Sequence, residues 1–221
     1  MAIEREKELE IKIPIPSDDV QLNGTIYIPE NSQGLILFAH GSGSSRFSPR
    51  NRFVAQYLNK GAYATLLFDL LTRSEETSDL INAGLRFDIE LLTRRLQGAT
   101  DYLMQNPDTK NFSLGYFGAS TGAAAALVAS VKENGVKAVV SRGGRPDLAA
   151  QYLPQVKVPV LLIVGGDDYP VIELNKRALE AIKTPAKDMQ IVTGATHLFE
   201  EPGALDEVAR LAVDWFIRYV H

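Results

Sequence analysis

Six stretches of strand length in this chain are apolar almost throughout: GLILFA at 34–39, YATLLFDL at 63–70, FSLGYF at 112–117, VKAVVS at 136–141, VPVLLIVG at 158–165 and MQIVTG at 189–194. A strand with one solvated face alternates apolar and polar residues, whereas a strand covered on both faces has no need to. The six runs therefore predict a parallel sheet packed between helices. Helical spacing fills the gaps, at 49–60, 85–105, 121–133, 171–183 and 204–220. Leu85, Ile89, Leu92, Leu96, Ala99 and Leu103 recur every three or four residues, and Leu205, Val208, Leu211, Ala212, Trp215, Phe216 and Tyr219 form one stripe. Pro49 and Pro170 suit helix starts. Ahead of the first run, residues 6–15 alternate, and SDDVQLNGTIYIP reads as a turn followed by a second strand, an opening hairpin. A hairpin followed by repeated strand–helix units predicts a three-layer α/β/α molecule with a mostly parallel, doubly wound sheet. At 221 residues it is expected to be one domain over 1–221.

Composition narrows the partners. The chain is 45% hydrophobic and 23% charged, ordinary for a globular protein, with a net charge of −4 and no basic block to neutralise phosphates. Nucleic acid and anionic membrane are excluded as main partners. No apolar run approaches the roughly 20 residues that cross a bilayer, and MAIEREKELE lacks the apolar centre of a secretory signal. Cysteine is absent, so disulfides, thiolate metal sites and thiol nucleophiles are excluded. A cytoplasmic location is expected, and the oligomeric state is left open.

In an open sheet of this kind ligands bind beyond the carboxyl ends of the strands. The loops to search are 40–48, 70–84, 118–121, 142–148, 165–170 and 194–203. One of them holds Gly118-Ala119-Ser120-Thr121-Gly122, a G-x-S-x-G between a strand-like run and an alanine-rich run. That context is the signature of a nucleophile elbow: a sharp turn holds the serine in a strained conformation, and only glycine fits where the backbones close together. The plainer reading, a serine capping the next helix, uses the same residue.

A serine hydroxyl needs a base to take its proton. Of the three histidines, His40 lies far upstream of Ser120 and His221 is the last residue. His197, in GATHLFEEPG, follows the last apolar run and precedes the last helical stretch, at the active edge of the sheet. An acid to orient the imidazole is available in GGDDYPV, where Asp168 is preferred and Asp167 is the fallback. The order Ser, Asp, His is that of α/β-hydrolases. Backbone donors for an oxyanion are expected from Thr121 N–H and from the loop FAHGSGSSR, with Ser42 N–H preferred and Gly41 or Gly43 as alternatives. The same loop lacks the Gly-Lys-Ser/Thr of a phosphate cradle and the third glycine of a dinucleotide fingerprint.

On these motifs, together with ATLLFDLLT, VVSRGGRPDLA and VLLIVGGDDYPVIELN, the sequence resembles the α/β-hydrolase superfamily, and within it the dienelactone-hydrolase-like group of small serine hydrolases. The resemblance implies Ser120 as nucleophile, Asp168 as acid and His197 as base, on a roughly eight-stranded sheet whose second strand runs antiparallel to the rest. Dienelactone hydrolases proper use a cysteine nucleophile, which this chain lacks, so cleavage of dienelactone itself is not implied. No large cap domain is expected, and residues 71–84 are the longest unassigned loop.

The expected reaction is hydrolysis of a carboxylic ester, thioester or lactone of a small molecule through an acyl-enzyme, with no metal or organic cofactor. Acyl transfer on the same triad and a non-catalytic hydrolase-fold receptor are the competing readings. Arg46, Phe47, Leu71, Thr72, Arg142, Arg145 and Tyr169 are the candidate pocket residues. Arg142 or Arg145, in SRGGRP, would pair with an anionic substrate group.

Overall fold

The computed structural model describes residues 3–133 and 135–221. The opening hairpin consists of β1 (Leu9–Ile15) and β2 (Val20–Tyr27), paired antiparallel with Ile15 opposite Val20. The apolar runs become β3 (Gly34–Ala39), β4 (Tyr63–Phe68), β5 (Leu114–Ala119), β6 (Val136–Arg142), β7 (Val160–Gly165) and β8 (Lys187–Val192). They form an eight-stranded sheet in the order β1-β2-β4-β3-β5-β6-β7-β8. The β1–β2 and β2–β4 pairs are antiparallel and the others parallel, so β2 alone runs against the rest.

Burial follows the sequence pattern. Every residue of β3, β4, β5 and β7 is buried, whereas β1 and β2 alternate because the hairpin keeps one face toward water. The helices are α1 (Pro49–Lys60), α2 (Arg73–Asn82), α3 (Ile89–Gln105), α4 (Thr121–Lys132), α5 (Tyr169–Ala181) and α6 (Ala204–Tyr219). On one face of the sheet, Val54 and Leu58 of α1 and Val208, Ala212 and Phe216 of α6 pack on Phe38, Phe117 and Val140. On the other, Leu96 and Leu103 of α3 and Ala124 to Ala126 of α4 cover Leu37, Leu66, Tyr116 and Leu162. Among the described residues no helix is long and apolar enough to cross a membrane.

Two expectations change. Residues 71–84 are not a loop, because α2 occupies most of them. Its start is a capping box: Thr72 Oγ1 accepts the Glu75 N–H at 3.2 Å, and the Glu75 carboxylate accepts the Thr72 N–H at 2.7 Å. Arg95 of α3, 2% exposed, holds that first turn from behind. Its Nη2 donates to Glu75 Oε1 at 2.6 Å, and its Nε lies 2.9 Å from Asp18 Oδ2. The helix expected from Leu85 begins instead at Ile89, after a 3₁₀ turn at Leu85–Phe87. The buried Asp79 carboxylate draws the Leu85 and Arg86 N–H groups to itself (2.7 and 3.2 Å), while Asp88 accepts from Leu91 N–H at 3.0 Å and caps α3.

Candidate active site

The junction of β5 and α4 is a single residue. Ser120 sits at φ 50°, ψ −119°, a conformation that costs an L-residue on the order of 1–3 kcal/mol. The turn works only with glycine on either side. A Cβ on Gly118 would lie 2.8 Å from Ala123 N, and one on Gly122 would lie 2.5 Å from His40 O and closer still to Ala39 O. The Ser120 backbone is fixed by three bonds: its N–H donates to Arg142 O (3.2 Å), and its carbonyl accepts from Ala123 N–H and Arg145 N–H (both 3.1 Å). Its hydroxyl makes no cap to the helix, so the plainer reading of Ser120 as an N-cap fails.

The acid and the imidazole come from the ends of the next strands. Asp168 follows β7 and His197 follows β8, with Asp168 Oδ2 2.6 Å from His197 Nδ1. A proton on Nδ1 makes that bond and leaves Nε2 with its lone pair. Asp167 is exposed and among the described residues only its amide is engaged, donating to Ala195 O at 2.9 Å, so Asp168 is the aspartate that touches the ring. The ring lies over the end of β6: a Cβ on Gly143 would stand 3.5 Å from His197 Cε1. β6 is the neighbour of β5, with Arg142 opposite Ala119. Among the described residues no hydrogen bond joins the Ser120 hydroxyl to His197; such contacts often tighten only with substrate bound.

The loop after β3 presses against this elbow, since a Cβ on Gly41 would be 3.0 Å from Ser120 Cβ. Two donors fix the Gly41 carbonyl, His40 Nδ1–H at 2.9 Å and Ser44 N–H at 3.2 Å. His40 Nε2 in turn accepts the Leu70 N–H at 3.0 Å. That pair of bonds requires a neutral imidazole, and burial of the ring lowers its pKa from 6.5 in the same direction. Ser42 N–H, the expected second oxyanion donor, is occupied: it donates to Thr121 Oγ1 at 2.9 Å. The Thr121 N–H belongs to the first turn of α4, where amides lack intrahelical partners.

A cleft of about 610 Å³ opens beside this loop, walled by Gly41, Ser42 and Thr121 at one end and by Leu71, Leu80 and Arg86 toward α2. Ser120 and His197 are not among its walls. Leu71 and Phe47 line the cleft, as expected. The other candidates stand elsewhere. Arg46 pairs with Asp69 and with Glu10 (2.9 Å), and Arg145 makes a two-toothed bridge to Asp147 (2.8 and 2.7 Å), so neither fork is free for substrate. Thr72 caps α2, and Tyr169 is exposed outside the cleft. Arg142 is 7% exposed, its Nε and Nη1 have no hydrogen-bond partner among the described residues, and burial, followed by the nearby Arg50 charge, lowers its pKa to about 10.

Comparison with known proteins gives the family. The model described as Dienelactone hydrolase family matches residues 22–219. The chain belongs to the dienelactone hydrolase family. It is 55% identical to the crystal structure of a dienelactone hydrolase from Anabaena variabilis ATCC 29413, which covers 99% of this chain and 100% of its own, with a TM-score of 0.95. An esterase of Pyrococcus furiosus, Pf2001, shares the fold at a TM-score of 0.80 and 20% identity, over 97% of this chain and 94% of its own. The molecule is thus an α/β hydrolase of the dienelactone hydrolase family. In Mycobacterium tuberculosis (strain H37Rv), a protein named "Putative phosphoribosyl transferase Rv0571c" is 53% identical over 211 residues, 95% of this chain and 46% of its own. The chain spans about half the length of the curated relatives it matches.

Sequence reasoning missed His40 and the α2 wall of the cleft. The Thr72-x-x-Glu75 capping box was the available signal for α2. The His40 Nε2 bond depends on Leu70, thirty residues away, and no local spacing announces it.

Proposed function

We propose that this family member is a serine esterase, cleaving a carboxylic ester, thioester or lactone. The observation that carries the reading is Ser120: a left-handed φ, a hydroxyl that caps nothing, and an Asp168–His197 pair beyond the ends of β7 and β8 on the same edge of the sheet. In this reading His197 Nε2 takes the Ser120 proton as Oγ bonds to the carbonyl carbon. The leaving alkoxide takes that proton from the imidazolium and departs as alcohol. Water then gives a proton to His197 as its oxygen bonds to the acyl carbon, the bond from that carbon to Ser120 Oγ breaks, and the imidazolium returns the proton to Oγ as the acid leaves. The His197 side chain is 40% exposed, so water reaches the ring to act as the second nucleophile. No phosphoribosyl step is carried over from the mycobacterial relatives, because the elbow and its acid–base pair suit acyl chemistry.

A fluorophosphonate probe tests the reading. The wild-type chain is expected to be labelled and folded Ser120→Ala to stay unlabelled. Equal labelling of the two would move the nucleophile elsewhere, and no labelling of either would favour a receptor.

For the substrate we propose an ester carrying an anionic group, bound by Arg142. A buried guanidinium without partners is destabilising, and replacing such a charge by an apolar side chain is often neutral or stabilising. Its place at the end of β6, opposite Ala119 and beside the Ser120 turn, offers a reason to keep it. Arg142→Met is therefore expected to melt no lower than wild type. It is expected to lose about tenfold or more in kcat/KM for a succinate half-ester relative to a neutral ester of equal size, the scale of one charge-assisted hydrogen bond. An unchanged ratio would remove Arg142 from substrate binding.

A further inference from the structure

The geometry points to a side chain, the Thr121 hydroxyl, as an oxyanion donor. Resting on the esterase reading above, the inference concerns where the second hydrogen bond to the developing negative charge comes from. A hydroxyl has one proton to give and two lone pairs. Thr121 Oγ1 accepts the Ser42 N–H at 2.9 Å, which uses a lone pair. Its own proton has no acceptor among the described residues, although Thr121 is only 1% exposed. Thr121 walls the cleft together with Gly41 and Ser42, and it adjoins Ser120 in sequence. A substrate carbonyl bonded by Ser120 would bring its oxygen beside the adjoining Thr121 and supply the missing acceptor, and the bond strengthens as that oxygen becomes an oxyanion.

The rest of the loop is arranged to hold this hydroxyl. In a trans peptide the N–H points opposite the preceding carbonyl. His40 Nδ1–H and Ser44 N–H fix the Gly41 carbonyl on one side, so the Ser42 N–H is aimed to the other, at Thr121. With one lone pair held by that amide, the hydroxyl is oriented and polarised before substrate arrives, as members of hydrogen-bonded chains polarise one another. The oxyanion would receive one backbone bond, from Thr121 N–H, and one hydroxyl bond, with Ser42 N–H behind the hydroxyl.

The test compares Thr121→Val, which keeps the shape and removes the hydroxyl, with Thr121→Ser, which keeps the hydroxyl. For p-nitrophenyl acetate, Thr121→Val is expected to lose about 10²- to 10³-fold in kcat, as when one oxyanion donor is removed, with KM little changed. Thr121→Ser is expected to stay within about tenfold of wild type in kcat. Inhibition by a trifluoromethyl ketone, whose serine adduct carries an oxyanion, should weaken in Thr121→Val far more than inhibition by the matching methyl ketone. A merely structural threonine would weaken both alike. Wild-type kcat in Thr121→Val, or a higher one, would overturn the inference and return the role to a freed Ser42 N–H. Should the valine variant fail to fold, Thr121→Ala against Thr121→Ser gives the same comparison. If wild type itself shows no turnover that Ser120→Ala abolishes, the esterase reading fails and this inference falls with it. Normal wild-type turnover with an indifferent Thr121 sinks this inference alone.

Discussion

Replacing His197 with alanine is expected to lower p-nitrophenyl acetate turnover on the order of 10⁶-fold, and Ser120→Ala to do the same, with the double variant no worse than either. The non-additivity is the diagnostic part. A base and a nucleophile that act in one proton transfer are lost together when either is removed, whereas two residues that merely shape a pocket lose activity independently. Asp168→Asn is expected to cost about 10⁴-fold, because an amide can donate to Nδ1 and so favour the wrong tautomer. Asp167→Asn, one residue away but exposed and engaged only through its amide, should change turnover little. Initial rates on variants whose melting temperatures match wild type decide the matter. A His197→Ala rate within tenfold of wild type would remove the imidazole from the chemistry, and an Asp167→Asn loss equal to that of Asp168→Asn would break the assignment of the acid.

The two aspartates illustrate what a sequence can state about a site. Ser120, His197 and the Asp167–Asp168 pair were legible because the backbone around them makes demands that only certain residues meet. Gly118 and Gly122 have no room for a Cβ, and a Cβ on Gly165 would lie 2.6 Å from Thr196 O, drawing the acid loop against the histidine loop. The strands were legible for a related reason, since β3, β4, β5 and β7 are covered on both sides and must be apolar at every position. Features set by partners distant in sequence were not. The α2 sequence RSEETSDLIN has no apolar stripe to announce a helix, and part of what holds it is Arg95, twenty residues beyond the Glu75 that it binds. Arg46 looked free because its partners Asp69 and Glu10 lie twenty-three and thirty-six residues away, and the Ser42–Thr121 bond joins residues seventy-nine apart. Arg145 is the exception: its partner is two residues away, and the pairing was available to be read.

Gly122→Ala is expected to be the most damaging single methyl group in the fold. The added Cβ would stand 2.5 Å from His40 O and closer to Ala39 O, both backbone atoms at the end of β3. Neither partner can yield easily. β3 is hydrogen-bonded on both sides, to β4 and β5, and α4 is buried along Thr121 to Ser130, so moving it outward opens a void behind Ala123 to Ala126. Overpacking of this kind costs about 1–3 kcal/mol and occasionally more. At the upper end, the melting temperature of a chain of this size falls by roughly 6–12 °C. Function should suffer beyond stability. A shift of α4 relative to the loop after β3 separates Ser120 and Thr121 from Ser42, and a misplacement of about 1 Å at a reacting centre can cost 10²-fold in rate. The control is Gly84→Ala, where an added Cβ meets nothing nearer than Asn82 Oδ1 at 3.8 Å and the backbone is already right-handed. That variant should melt and turn over like wild type. If Gly122→Ala matched it in both measurements, α4 would not approach β3 this closely, and the elbow that holds Ser120 would have to be built some other way.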